Sequence, residues 1–208
     1  MKRAIGGVMK VSGRESWQMG EDASWHLTAA LYLRDALGLP ATRPFFIPPF
    51  VPAVPEHIPV TGPDLDILHA EEWALWFTDL LADHRDMGTE QPFDGAVLER
   101  CSPAFQQAVG THAEAARAAT TSFRDRYSRH FQGNFKTGAP VINRLVRSIE
   151  KELGHRAAPF NLSVRILPVR GFWLHRANPQ LVLASEAARR DPTALTNLLG
   201  PVIRELAR

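Results

Sequence analysis

The sequence predicts an α+β fold with four to five helices and a C-terminal three-stranded antiparallel β-meander packed against helices. Over the first two-thirds of the chain, apolar residues recur at spacings of three and four, which is typical of amphipathic helices. After residue 160 the spacing changes to two, which is typical of half-buried strands. Because the strands follow the helices and do not alternate with them, the pattern favours α+β. We expect a single domain over residues 1–208, since this length is enough for one sizeable core.

The N-terminal part of the chain contains one candidate strand and two candidate helices. Ala4–Val11 is short and apolar, but two glycines weaken the prediction of an edge strand there. A helix is predicted over Ser24–Leu37, where leucines and alanines lie at helical spacing and a glycine and a proline follow. A second helix is predicted over Asp64–His84.

A proline-rich segment separates these two helices. Residues 40–63 contain eight prolines and therefore cannot form a helix interior or a central strand. The same segment carries Phe45, Phe46 and Phe50, which would be costly to leave in water. We therefore expect an extended strap that packs on the domain. Exposure as a ligand for an aromatic-lined groove is the alternative.

The C-terminal part of the chain contains two helices, the meander and a last helix. Ser102 and Asp191 are each followed by a proline, a pattern typical of a capping residue and the first helical position. Glycines at positions 133 and 154 are expected to end the first two of these helices. The meander is expected within residues 160–185. The predicted elements are helices over Pro103–Gln132 and Ala139–Leu153, strands over Asn161–Val169, Gly171–His175 and Leu181–Ala184, and a last helix after the Asp191 cap.

The formal net charge of +2 hides a segregation of charge along the chain. Residues 1–14 carry four basic and no acidic side chains, and residues 15–114 carry four basic and sixteen acidic ones. Residues 115–176 carry twelve basic and three acidic side chains, and residues 177–208 carry four and three. Such asymmetry indicates either an anionic partner or the pairing of acidic and basic elements within the fold.

Cysteine content and hydropathy limit the classes of protein to consider. Cys101 is the only cysteine, so an internal disulfide is excluded. No N-terminal segment resembles a secretory signal, and no stretch approaches 18 or so consecutive apolar residues. We therefore expect a soluble cytoplasmic protein without a membrane partner. No motif implies a cofactor, so none is expected.

The main functional hypothesis is a binding or regulatory protein that engages nucleic acid or another polyanion. Its basis is a run of cations in the predicted third and fourth helices, because clustered positive charge attracts phosphates. The residues expected to contact the anion are Arg124, Arg129, Lys136, Arg144, Arg147 and Lys151. No known nucleic-acid-binding motif accompanies them, so the hypothesis depends mainly on charge.

Two other classes of function stay open. One is an enzyme of unknown reaction with a cleft beside the acidic second helix, lined by His69, Glu72 and Trp76. The other is a structural or protein-interaction subunit with a protein partner or a homo-oligomeric interface. No catalytic residue can be assigned from the sequence. No metal site is expected, because a second histidine at a diagnostic spacing is absent.

Overall fold

The computed structural model describes residues 6–8, 17–40, 45–55, 63–82 and 98–208. Within these residues the fold is mixed α+β, as the sequence predicts, with five α-helices, one short 3-10 helix and five strands. The elements in chain order are β1 (Gly6–Val8), β2 (Gln18–Asp22), α1 (Trp25–Ala36), α2 (Pro63–Ala82), the 3-10 helix (Leu98–Arg100), α3 (Pro103–Leu153), β3 (Asn161–Leu167), β4 (Leu174–Asn178), β5 (Leu181–Ser185), α4 (Glu186–Arg190) and α5 (Pro192–Leu206).

The described strands form one mixed sheet in the order β1-β2-β3-β5-β4. β3 pairs in parallel with both β2 and β5, whereas the β1–β2 and β4–β5 pairs are antiparallel. The prediction of a purely antiparallel three-stranded meander is therefore wrong, because β5 lies between β3 and β4. Burial explains the difference. Every residue of β5 is buried, so this strand requires a neighbour on each side, whereas the half-buried β4 can form an edge.

The chain divides into two compact units. The sheet unit comprises residues 1–23, 128–167 and 171–208, and the helical unit comprises residues 24–127 and 168–170. α3 contributes its first part to the helical unit and its second part to the sheet unit. The single domain expected from the length of the chain stays a prediction.

α3 is one helix from Pro103 to Leu153, where the sequence predicts two helices separated at Gly133. The predicted boundary is wrong because an interior glycine costs a helix only about 1 kcal/mol relative to alanine. Apolar residues at helical spacing continue on both sides of it, and Phe123 and Val146 are each 1% exposed. Packing of these residues outweighs the local stop signal.

The core of the helical unit forms around α1, α2 and the first part of α3. Leu31 on α1, Phe77 on α2 and Phe105 on α3 are completely buried. The indole Nε1 of Trp73 donates a hydrogen bond of 2.7 Å to the carbonyl oxygen of Ala30, which joins α2 to α1. The unit therefore has an aromatic core in which the buried polar atom of Trp73 is hydrogen-bonded.

The proline-rich strap packs in this unit through its aromatic and branched side chains. Phe45 packs edge-on against Phe77 with 5.1 Å between the ring centroids, and Ile47 is 1% exposed. Residues 41–44 and 56–62 of the predicted strap lie outside the described residues. The described part is extended and forms an isolated bridge in which Phe50 pairs with residue 169.

An ion pair on α1 between the buried Arg34 and the part-buried Asp35 holds the strap. The guanidinium of Arg34 donates to the carbonyl oxygens of Ile47 at 2.7 Å and Pro48 at 2.9 Å. It also contacts the carboxylate of Asp35 at 2.6 Å. The other oxygen of that carboxylate accepts a hydrogen bond of 2.6 Å from the backbone N–H of Phe50. Two adjacent side chains thus satisfy three backbone groups of the strap.

The core of the sheet unit forms where α4 packs on β3 and β5, with α5 against α4. In β3, Leu162, Val164 and Ile166 are buried, which confirms the alternation expected from the sequence. The predicted cap of the last helix is also confirmed. The carboxylate of Asp191 accepts hydrogen bonds from the backbone N–H groups of the second and third residues of α5.

Replacing Arg34 with methionine should lower the free energy of unfolding by about 3–5 kcal/mol, because it removes the donor to two strap carbonyl oxygens and leaves the part-buried Asp35 carboxylate without its cation. Urea titration of both proteins measures the difference. The control is Arg204→Met, which breaks an exposed 2.9 Å ion pair with Glu152 and should cost at most about 1 kcal/mol. Equal losses in the two variants would contradict the structural role given to Arg34.

Candidate functional site

Three cations lie together on one exposed face of α3 in the sheet unit. Arg144, Arg147 and Lys151 are spaced three and four residues apart, so on a helix they fall within an arc of about 60°. All three side chains are exposed. The opposite side of the helix carries Val146 and Ile149, each 1% exposed. The buried face fixes the orientation of the helix, and the cations consequently point to solvent.

Five other arginines of the sheet unit form ion pairs with carboxylates, which these three cations do not form with described residues. Ion pairs are present between Arg165 and Asp22, Arg176 and Glu205, Arg189 and Glu21, Arg190 and Glu186, and Arg204 and Glu152. In the described part of the chain, no carboxylate pairs with the cations at positions 144, 147 and 151. Their charge is therefore available to a ligand.

The other predicted anion-binding residues are placed separately. Arg124 belongs to the helical unit, where its guanidinium lies over the indole ring of Trp25 at 5.5 Å from the ring centroid. Arg129 is exposed and has an interaction of its own. The side chain of Lys136 lies outside the described residues. The structure thus shows one shared face for three of the predicted cations, while anion binding itself stays a prediction.

The residues of the alternative cleft, His69, Glu72 and Trp76, lie together at the junction of α2 and α3. The rings of His69 and Trp76 pack against Phe105 with centroid separations of 5.6 Å and 6.4 Å. His69 is 4% exposed and its Nε2 atom has no hydrogen-bond partner. This arrangement is an aromatic cluster with one polar atom left unsatisfied.

Glu72 connects this cluster to the first turn of α3. Its carboxylate accepts hydrogen bonds from both the backbone N–H and the hydroxyl of Ser102. The same hydroxyl oxygen accepts a hydrogen bond of 3.2 Å from the backbone N–H of Phe105, which confirms Ser102 as the predicted cap. Both carboxylate oxygens of Glu72 are thus engaged in holding the start of α3 to α2.

Cys101 lies directly before this cap, and burial and neighbouring charges shift the pKa of its thiol. Burial raises the pKa of the Cys101 thiol, and the carboxylate of Glu72 raises it further. The guanidinium of Arg100 acts in the opposite direction and lowers the pKa. Because a nucleophilic cysteine requires an electropositive setting, the environment of Cys101 favours the unreactive thiol form.

The order of the strands places three polar side chains and one leucine in a single row across the sheet. The strand register aligns Asp22, Arg165, Leu183 and His175 across β2, β3, β5 and β4. Arg165 donates to Asp22 at 2.9 Å, and the imidazole of His175 stacks on Trp173. Burial lowers the pKa of His175, which favours the neutral form of the ring. No local signal could predict this row, because it depends on the order of the strands.

Comparison of the chain with protein-family models, curated proteins and solved structures gave no match. No helix within the described ranges combines the length and apolar character needed to cross a membrane. The same ranges contain no group of three histidine, cysteine, aspartate or glutamate side chains placed to hold a metal ion.

Replacing Glu72 with glutamine should increase the rate at which Cys101 reacts with iodoacetamide at pH 8. Removal of the carboxylate charge lowers the pKa of the thiol and raises the thiolate fraction at that pH. The measurement is the alkylation rate of the folded protein between pH 7 and pH 10. Arg100→Gln is the matched control and should shift the pH profile in the opposite direction. Identical profiles for the two variants would contradict the electrostatic assignment.

Proposed function

We propose that this protein is a binding or regulatory protein that engages nucleic acid or another polyanion through Arg144, Arg147 and Lys151 on α3. The observation that supports the proposal is the combination of exposure, shared direction and absence of ion pairs with described residues. Arg165 and Arg189 of the same unit are instead neutralised by Asp22 and Glu21. A cation without such a partner binds an approaching phosphate more favourably, because no ion pair has to be broken first.

The helix dipole does not explain these cations as a group. Lys151 lies in the last turn of α3, where a positive charge interacts favourably with the carboxyl end of the helix. Arg144 and Arg147 lie more than one turn from Leu153, beyond the reach of this effect. Their positions favour a role outside the helix, and the planar guanidinium suits phosphate oxygens.

The geometry of the face indicates the kind of recognition. From Arg144 to Lys151 the face extends about 10 Å along the helix. Its exposed positions also include Ser148, a hydrogen-bond donor, but no described aromatic side chain on which a base could stack. Contacts of this kind position a phosphate backbone and do not distinguish base sequence. We therefore expect binding that is strongly salt-dependent and insensitive to sequence.

The double variant Arg144→Gln, Arg147→Gln should weaken binding of a fluorescein-labelled single-stranded RNA, measured by fluorescence anisotropy at several salt concentrations. On a single strand each phosphate contact contributes about 0.7 to the slope of log affinity against log salt, so losing two contacts should lower that slope by about 1.4 in magnitude. Heparin as a competitor distinguishes nucleic acid from polyanions in general.

The matched control for this experiment is Arg170→Gln, Arg208→Gln, which removes the same charge from two exposed positions outside α3. This control should leave the slope within about 0.5 of the original value. Absence of binding at low salt, or equal losses in the two double variants, would refute the proposed face.

A further inference from the structure

α2 has apolar side chains on two opposite faces. Its inner face carries Trp73, Trp76 and Phe77, which are at most 3% exposed and form the core of the helical unit. On the other side, Ile67 is 63% exposed and Leu75 is 67% exposed. A helix that is apolar all round is normally buried, so the outer side chains require an explanation.

Acidic side chains accompany the outer apolar residues. Glu71 and Asp79 are exposed and lie, at 100° per residue, within the same arc of about 120° as Ile67, Leu68 and Leu75. Among the described residues, neither carboxylate has an ion pair. α2 contains no lysine or arginine. We define the outer face of α2 as these five residues. Three of them are apolar, two are negatively charged and none is positively charged.

We infer that the outer face of α2 is a docking surface for a basic amphipathic helix of a partner protein. Apolar anchors at helical spacing in the partner would cover Leu75 and its apolar neighbours, as in other helix-to-helix recognition. Lysine or arginine beside those anchors would meet Glu71 and Asp79. Charge complementarity of this kind guides encounter and excludes wrong partners.

The same charges disfavour a second copy of this chain as the occupant. Two-fold packing of α2 on α2 would bring the carboxylates of both copies into one interface, where like charges repel. The cation face of α3 does not fit either. Its exposed positions are Arg144, Arg147, Ser148 and Lys151, and none of these is a large apolar side chain that could cover Leu75.

The probe for this surface is a designed, fluorescein-labelled helical peptide with leucines on one face and lysines flanking them. From Ile67 to Asp79 the outer face is about 18 Å long, so a peptide of about 18 residues covers it and is long enough to form a helix. A second peptide with glutamates in place of the lysines tests the charge requirement. Anisotropy with the full chain should show at least about tenfold tighter binding of the lysine peptide.

Variants of both kinds of residue test the surface. The double variant Ile67→Gln, Leu75→Gln should weaken binding of the lysine peptide at least about tenfold, whereas Phe172→Gln, a control at a residue that is 63% exposed, should have no effect. The charge reversal Glu71→Lys, Asp79→Lys should make the glutamate peptide the better ligand. If the apolar variants fail to fold, this charge-reversal variant still tests the surface, because Glu71 and Asp79 are both exposed.

Three outcomes would overturn the inference. They are no binding of the lysine peptide, binding that Ile67→Gln, Leu75→Gln leaves unchanged, and binding whose charge preference survives the reversal. Light scattering of the chain alone supplies one further outcome. A dimer that dissociates in the Ile67→Gln, Leu75→Gln variant would assign the face to a second copy and exclude the basic partner.

Discussion

A guanidinium that is 2% exposed must have all its donors satisfied, and Arg34 meets this condition by bonding to the strap. Prolines in the strap have no backbone N–H, so this segment cannot be held by a regular strand ladder. Arg34 and Asp35 replace the ladder with side-chain hydrogen bonds. The position of the strap brings Phe45 onto Phe77 and thereby closes the aromatic core. Arg34 and Asp35 therefore support the packing of Phe77 on α2 through the strap.

The segregation of charge along the chain is resolved differently in the two units. In the sheet unit, pairs such as Arg165–Asp22 and Arg189–Glu21 join residues far apart in sequence and neutralise them locally. The three cations of the α3 face have no such pair with described residues. In the helical unit, Glu72 is engaged with Ser102, while the carboxylates of the outer face of α2 have no ion pair with described residues. The near-zero net charge therefore coexists with two exposed surfaces of opposite sign.

The elements predicted correctly are those whose signals lie within a few residues. Ser102 and Asp191 cap helices because their side-chain oxygens reach N–H groups two or three positions further along the chain. β3 alternates because one face is buried. β2 has no such signal, since its sequence of glutamine, methionine, glycine, glutamate and aspartate has no apolar alternation, and it pairs with both β1 and β3. The prediction that a helix ends at Gly133 is wrong because tertiary packing outweighs local propensity.

By itself the sequence determined the fold class, the caps and the helical spacing that puts Arg144, Arg147 and Lys151 on one face, because these follow from periodicity and local hydrogen bonding. It also placed His69, Glu72 and Trp76 near one another on α2. Only the tertiary structure decided that β5 is central, that Glu72 holds Ser102, and which charges have no ion pair with described residues. Those outcomes depend on contacts between residues that are distant in the chain. Local sequence patterns do not determine which distant residues come into contact.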